Sequence, residues 1–203
     1  MAILATGQTF PDAMAASAMS YAEDWPILLT QQGSLAAQAS AAISILGIKQ
    51  VVVMGGPVAV SDTVVTQLVA MGVSVLRIAG ADYTNTGQLL AQFELSTTAD
   101  GSSRATGLDW ADLGANPNTY GVNVARGDFY ADALAGSAVG GTNHSPIVLT
   151  LNPSTLGSGI PDLFNTEAGL TTPNHVDAVT ILGGPMAVTP ATEAAVLQAI
   201  GNS

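Results

Sequence analysis

The chain has 203 residues, 48% of them apolar and 9% charged, with 22 Gly and no Cys. That much apolar material fills one or two cores and argues against disorder. Four Lys and Arg against fifteen Asp and Glu leave a net charge of −11, which argues against nucleic acid and anionic membranes as partners, because both are held by many cations on phosphate.

The missing cysteines remove disulfides, thiolate nucleophiles and Cys-held metals while leaving the compartment open. No apolar run approaches the ~20 residues that span a bilayer. The first residues lack the basic start of a signal peptide. The sequence therefore reads as soluble, a mature fragment or a trimmed piece.

In chain order, short β-branched runs at residues 2–6, 27–30, 51–54 and 73–78 predict parallel strands buried on both faces. Helical patterns lie between them. Leu35, Ala39, Ala42 and Leu46 predict one buried stripe and Val64, Leu68 and Met71 another, with Gly47 and Gly72 as stops. Ser61 stands where the second of these helices needs an N-cap. A helix at residues 85–95 is followed by a polar, Gly-rich stretch, 97–119, read as a linker that Trp110 anchors by burying its ring. Strands at 121–125, 147–150 and 179–182 follow, and Thr189 and Pro190 open a last helix over 192–200.

The second half repeats the first. Ala5 to Ala13 aligns with Ala125 to Ala133 at an offset of 120, placing Asp12 on Asp132, and the same offset carries Pro26 to Thr30 onto Pro146 to Thr150. Gly55-Gly56-Pro57 returns as Gly183-Gly184-Pro185 at an offset of 128. The eight extra residues fall between Leu151 and Val176, in a Pro- and Gly-containing stretch read as a solvent-facing loop. Alternating strands and helices with short links predict an α/β fold of two tandem repeats, each an open parallel sheet with helices on both faces, a flavodoxin-like three-layer module. The expected division is a first module at 1–96, a linker at 97–119, and a second module at 120–203 that stops short of the fourth strand.

In such sheets ligands collect at the carboxyl ends of the strands. The candidates there are Thr6, Gly7, Phe10, Asp12, Gly55 and Gly56, and in the second copy Arg126, Gly127, Tyr130, Asp132, Gly183 and Gly184. Each has a plain structural reading too: an Asp in a first helical turn suits the helix dipole, and Gly-Gly-Pro suits a tight turn better than an anion cradle, because Pro removes a donor. His144 and His175 stand in polar stretches without metal-ligand spacing and read as solvated loop residues. Phosphate-loop, nucleophile-elbow and paired-Glu patterns are missing. An enzyme with Asp12, Asp132 and Arg126 between the copies is the weakest reading. Duplicated blocks suit instead a module that binds a repeating polymer, gaining avidity, or packs against its own kind.

The blocks resemble the type-2 cell-wall-binding repeat of Gram-positive surface proteins and wall hydrolases. Ala5 to Ala15, Pro26 to Thr30, Gly55 to Ser61 and Arg77 to Tyr83 match its four blocks in order, and Gly127 to Ala135, Pro146 to Thr150 and Gly183 to Thr189 match three again. The resemblance implies a non-catalytic, extracellular module that packs with sibling modules, commonly in threes, and attaches to an anionic wall polysaccharide or teichoic-type polymer. No cofactor, nucleic acid or membrane insertion is implied. Self-assembly into a surface layer or filament is the alternative. Where the family pattern has Asp-Arg-Tyr, this chain reads Asp82-Tyr83. A polyanion meeting a charge of −11 then needs a local patch, backbone N–H groups or bridging divalent cations.

Overall fold

A computed structural model describes residues 1–95, 108, 110, 119–165 and 175–201. The first half holds β1 (Ala2–Thr6), α1 (Pro11–Ala15), α2 (Ser17–Ala22), β2 (Ile27–Thr30), α3 (Ala37–Ile45), β3 (Gln50–Met54), α4 (Asp62–Ala70), β4 (Ser74–Ile78) and α5 (Tyr83–Leu95). The second holds β5 (Thr119–Arg126), α6 (Ala131–Thr142), β6 (Ile147–Thr150), α7 (Gly159–Asn165), β7 (His175–Ile181) and α8 (Pro190–Gly201).

Both sheets are parallel, in the order β2-β1-β3-β4 and β6-β5-β7. The repeat extends to single hydrogen bonds. Gly7 N–H donates to Thr30 O at 2.8 Å and Gly127 N–H to Thr150 O at 2.9 Å. Ile3 N–H donates to Pro26 O at 3.0 Å and Asn123 N–H to Pro146 O at 2.8 Å. The tandem three-layer α/β architecture expected from the sequence is the one observed.

Strand alternation sends Ala2, Leu4, Val51 and Val53 to one face of the first sheet, where Ile43, Val64 and Leu68 of α3 and α4 cover them. Ile3, Ala5, Val52 and Met54 face the other way, into a second apolar cluster. That cluster continues through α1, α2 and α5 to Val124, Leu149, Ile160 and Val196, so the modules share one interior. Helix α5 leaves the first module and packs on β6 and α7 of the second. Between α2 and α6 the backbones approach closely: a Cβ on Gly141 would come within 2.8 Å of both Ala18 O and Tyr21 Cβ.

Several local expectations need correction. The α3 stripe is Ala39 and Ile43, while Leu46 is exposed, because an Ala-rich helix has little periodicity to read. Ser61 stands at its N-cap position but makes no side-chain cap, and its hydroxyl is buried without a partner. Thr189 does cap, accepting from Thr192 N–H at 3.3 Å. The long stretch after Leu151 is not simply a solvent-facing loop: α7 buries Ile160, Leu163 and Phe164 there. His175 begins β7 and is not in a loop. His144 stands in a turn with φ +49°, its ring edge-on to Trp110 at 5.6 Å.

Trp110 is 1% exposed and donates its indole N–H to Glu23 Oε1 at 3.0 Å, so its anchoring role holds. Most of the expected linker lies outside the described residues.

Candidate functional site

At the carboxyl ends of β1 and β3 the chain turns sharply, and Gly55 takes φ +86° to make the turn. Asp12, in the first turn of α1, lies directly beneath it. A Cβ on Gly55 would strike Asp12 Oδ2 and come within 2.9 Å of Ala59 Cβ. In the second module Gly183 has φ +104°, and a Cβ there would lie 2.9 Å from Asp132 Oδ2 and 2.6 Å from Ala187 Cβ. Ala59 and Val60 N–H donate to Gly56 O, and Ala187 and Val188 N–H donate to Gly184 O. Asp12 and Asp132 thus occupy equivalent surroundings, each under a glycine that cannot take a side chain.

The copies differ in charge. Arg126 ends β5 where Thr6 ends β1. Arg126 pairs in bidentate fashion with Asp128, at 2.8 and 2.9 Å, and lies 5.5 Å from the centre of the Phe129 ring. Hydrogen bonding to that carboxylate raises its pKa, with smaller contributions from the charges of Asp128 and Asp132. Asp12 has no such neighbour. Burial alone raises its carboxyl above the ordinary range, and among the described residues no donor reaches it.

A cleft of about 410 Å³ opens over Asp12, lined by Thr6, Gln8, Thr9, the Gly55 turn, and Gly80 to Tyr83 beyond β4. Arg77 on β4 turns away from it. Its Nη1 donates to Gly55 O at 2.6 Å and Nη2 to Asp62 Oδ1 at 3.3 Å, fixing the turn from behind. Asp82 accepts from Thr84 N–H and Thr84 Oγ1–H at 2.8 and 2.7 Å and from Asn85 N–H at 3.1 Å, which caps α5. Those hydrogen bonds outweigh its desolvation and lower its pKa.

Tyr83 joins the modules. Its hydroxyl donates to Leu151 O and its ring lies against Gly127, beside Leu149 and Thr150 O. The matching place in the first module has the same neighbours, since a Cβ on Gly7 would meet Leu29 Cβ at 3.5 Å and Thr30 O at 3.6 Å. Among the described residues no tyrosine fills it. A pocket of about 450 Å³ stands there instead, lined by Gly7, Phe10, Met14, Ile27 and Leu29, with Leu29 53% exposed. Phe10 and Tyr130, equivalent in the repeat, meet each other edge-to-face at 5.9 Å.

Of the predicted residues, Thr6, Asp12, Gly55 and Gly56 line the Asp12 cleft, and Gly7 and Phe10 line the apolar pocket with Thr6. Asp132 and Gly183 stand together in the second module, with Gly184 in the next position of the turn, whereas Gly127 lies under the inter-module tyrosine. The sequence did not single out Gln8, Thr9 and Tyr83 as lining residues; their place inside the motif blocks was the available signal. Among the described residues no His, Asp or Glu group forms a metal-binding cluster.

Duplicated parallel-sheet modules with glycine-lidded aspartates at the strand ends define a repeat-built α/β module. The sequence matches the family "Cell wall binding domain 2 (CWB2)" over residues 1–65 and 77–193, and the chain belongs to that family. It is a cell-surface module of that family. It is 23% identical over 183 residues to the N-acetylmuramoyl-L-alanine amidase LytC of Bacillus subtilis (strain 168), covering 90% of this chain and 31% of that protein. Cwp6 from Clostridium difficile has the same fold over 98% of this chain and 27% of its own, at TM-score 0.72 and 22% identity. Cwp8 from Clostridium difficile matches over 100% and 30%, at TM-score 0.66 and 22% identity. The chain thus spans about a third or less of the proteins it matches.

Proposed function

We propose that the chain attaches the protein carrying it noncovalently to a cell-wall glycopolymer of a Gram-positive surface, through the loops at the strand ends. The observation that carries this reading is the duplicated glycine-over-aspartate turn, retained in both copies with the same neighbours. Two weak sites on one chain act on a polyvalent target at high effective concentration. Retention on isolated walls, in competition with polymer released from those walls, tests it. Saturable retention that the soluble polymer displaces supports the reading, and a chain left in the supernatant overturns it.

We further propose that the open pocket at Gly7 and Leu29 receives a sibling module, from the same protein or another copy. The contact between the modules is heterologous: Tyr83 and α5 of one dock on the β6 side of the other. Head-to-tail contacts of this kind close into rings or extend into filaments. The support is the pocket itself, which repeats the Tyr83 seat without its tyrosine. Leu29→Glu should abolish concentration-dependent association in light scattering, and a chain that stays monomeric at high concentration contradicts self-association.

A further inference from the structure

We infer that the cleft over Asp12 binds a primary ammonium group carried beside hydroxyls, as on an amino-sugar ring or an aminoacyl ester, with the Asp12 carboxylate as its counter-ion. This rests on the wall-binding reading and names the chemistry that the first module recognises.

Asp12 is 8% exposed and its carboxylate accepts no hydrogen bond among the described residues, yet it lines the open cleft. A carboxylate that is largely desolvated and lacks a protein donor gains more from a ligand that supplies a charged donor than from a neutral hydroxyl. The charged residues that line the cleft are both acidic. Asp82 shares it with Asp12, and the charges of Asp128 and Asp82 both act on the neighbouring Tyr83 hydroxyl. No described cation lines it: Arg77 is turned to Gly55 O and Asp62, and Arg126 is neutralised by Asp128.

Shape agrees with charge. A volume of about 410 Å³ suits a single sugar ring or an aminoacyl group. Thr6, Gln8, Thr9 and Thr86 contribute neutral polar residues to the lining beside the carboxylate, and Tyr83 lines it too. The second module lacks this combination, because Arg126 shares the field of Asp132 and among the described residues no strand continues the sheet beyond β7. An anionic polymer decorated with ammonium groups would therefore be held by its substituents, which reconciles a wall polyanion with a module of charge −11.

The test is amide NMR of the full chain, following Gly55 and Gly56, with glucosamine, alanine methyl ester, N-acetylglucosamine and glucose as probes. Saturable shifts with glucosamine or alanine methyl ester, at least tenfold weaker with the two neutral sugars and at least tenfold weaker in Asp12→Asn, are expected. Which ammonium probe binds tells the amino sugar from the aminoacyl ester. Dispersed spectra of Asp12→Asn and an unchanged melting temperature confirm that the variant folds, and Thr9→Val provides a second variant that should weaken glucosamine without touching the charge. Equal binding of N-acetylglucosamine and glucosamine, unchanged affinity in Asp12→Asn, or no saturable shift with either ammonium probe overturns the inference. If walls retain the chain while neither ammonium probe binds, only this inference falls. Binding of the probes through Asp12 without retention on walls keeps the site and removes the wall reading.

Discussion

The Tyr83 hydroxyl, at the start of α5, donates to the carbonyl of Leu151 in the other module. A helix that belongs by sequence to the first repeat is thereby pinned to the second, and the two sheets share an interior through it. Tyr83→Phe leaves the Leu151 carbonyl without this donor and should cost about 0.5–1.5 kcal/mol in urea denaturation. The transition should remain single, because the shared core stays intact.

The glycine lids give a paired prediction. Gly55→Ala and Gly183→Ala place a methyl group at positive φ against an aspartate and an alanine. Each should destabilise the chain by more than about 1 kcal/mol. Gly56→Ala and Gly184→Ala, where a Cβ meets nothing within 4 Å, should fall within about 0.5 kcal/mol of the parent. Matching results in both modules would test the repeat at the level of energy.

Close helix packing is the third. On α6, Gly141 faces Ala18 O and Tyr21 of α2. Gly141→Ala puts a methyl group against backbone that cannot yield as a side chain tip does, so overpacking of about 1–3 kcal/mol outweighs the gain in helix propensity. Thermal melts of the variant should show the loss.

Glu94 gives the pH dependence. It is fully buried, neither oxygen has a hydrogen-bond partner among the described residues, and burial followed by the nearby Glu23 charge holds its pKa well above the ordinary carboxylate value. The folded state therefore keeps a proton that the unfolded chain releases, and stability falls as pH rises from near ~4.3 through the folded pKa. Asp12, raised in the same direction, adds to that slope. Glu94→Met should flatten the slope and raise stability at neutral pH by about 1–3 kcal/mol. Urea denaturation between pH 4.5 and pH 8 checks both the sign and the size.

The strands were legible because continuous β-branched runs such as Val51-Val52-Val53 have few other structural uses. The equivalence of Asp12 and Asp132 was legible because a constant offset places each at the same point of the same unit. Helix α7 was obscured by Pro153, Gly157 and Pro161, although a Pro in the first turn is tolerated and Ile160, Leu163 and Phe164 carry helical spacing. The α5 crossing onto the second module was not legible at all. Its helix has buried residues on several sides, so the pattern names no single face for a partner. The Asp12 cleft needed Gly80 to Tyr83 brought over from β4, a tertiary contact that no local pattern encodes.

The central claim is attachment to a wall glycopolymer, and retention on purified Gram-positive walls before and after chemical removal of their glycopolymers tests it most directly. The account predicts saturable retention on intact walls and its loss on stripped walls. Equal retention on both, or none on intact walls with or without divalent cations, would contradict it.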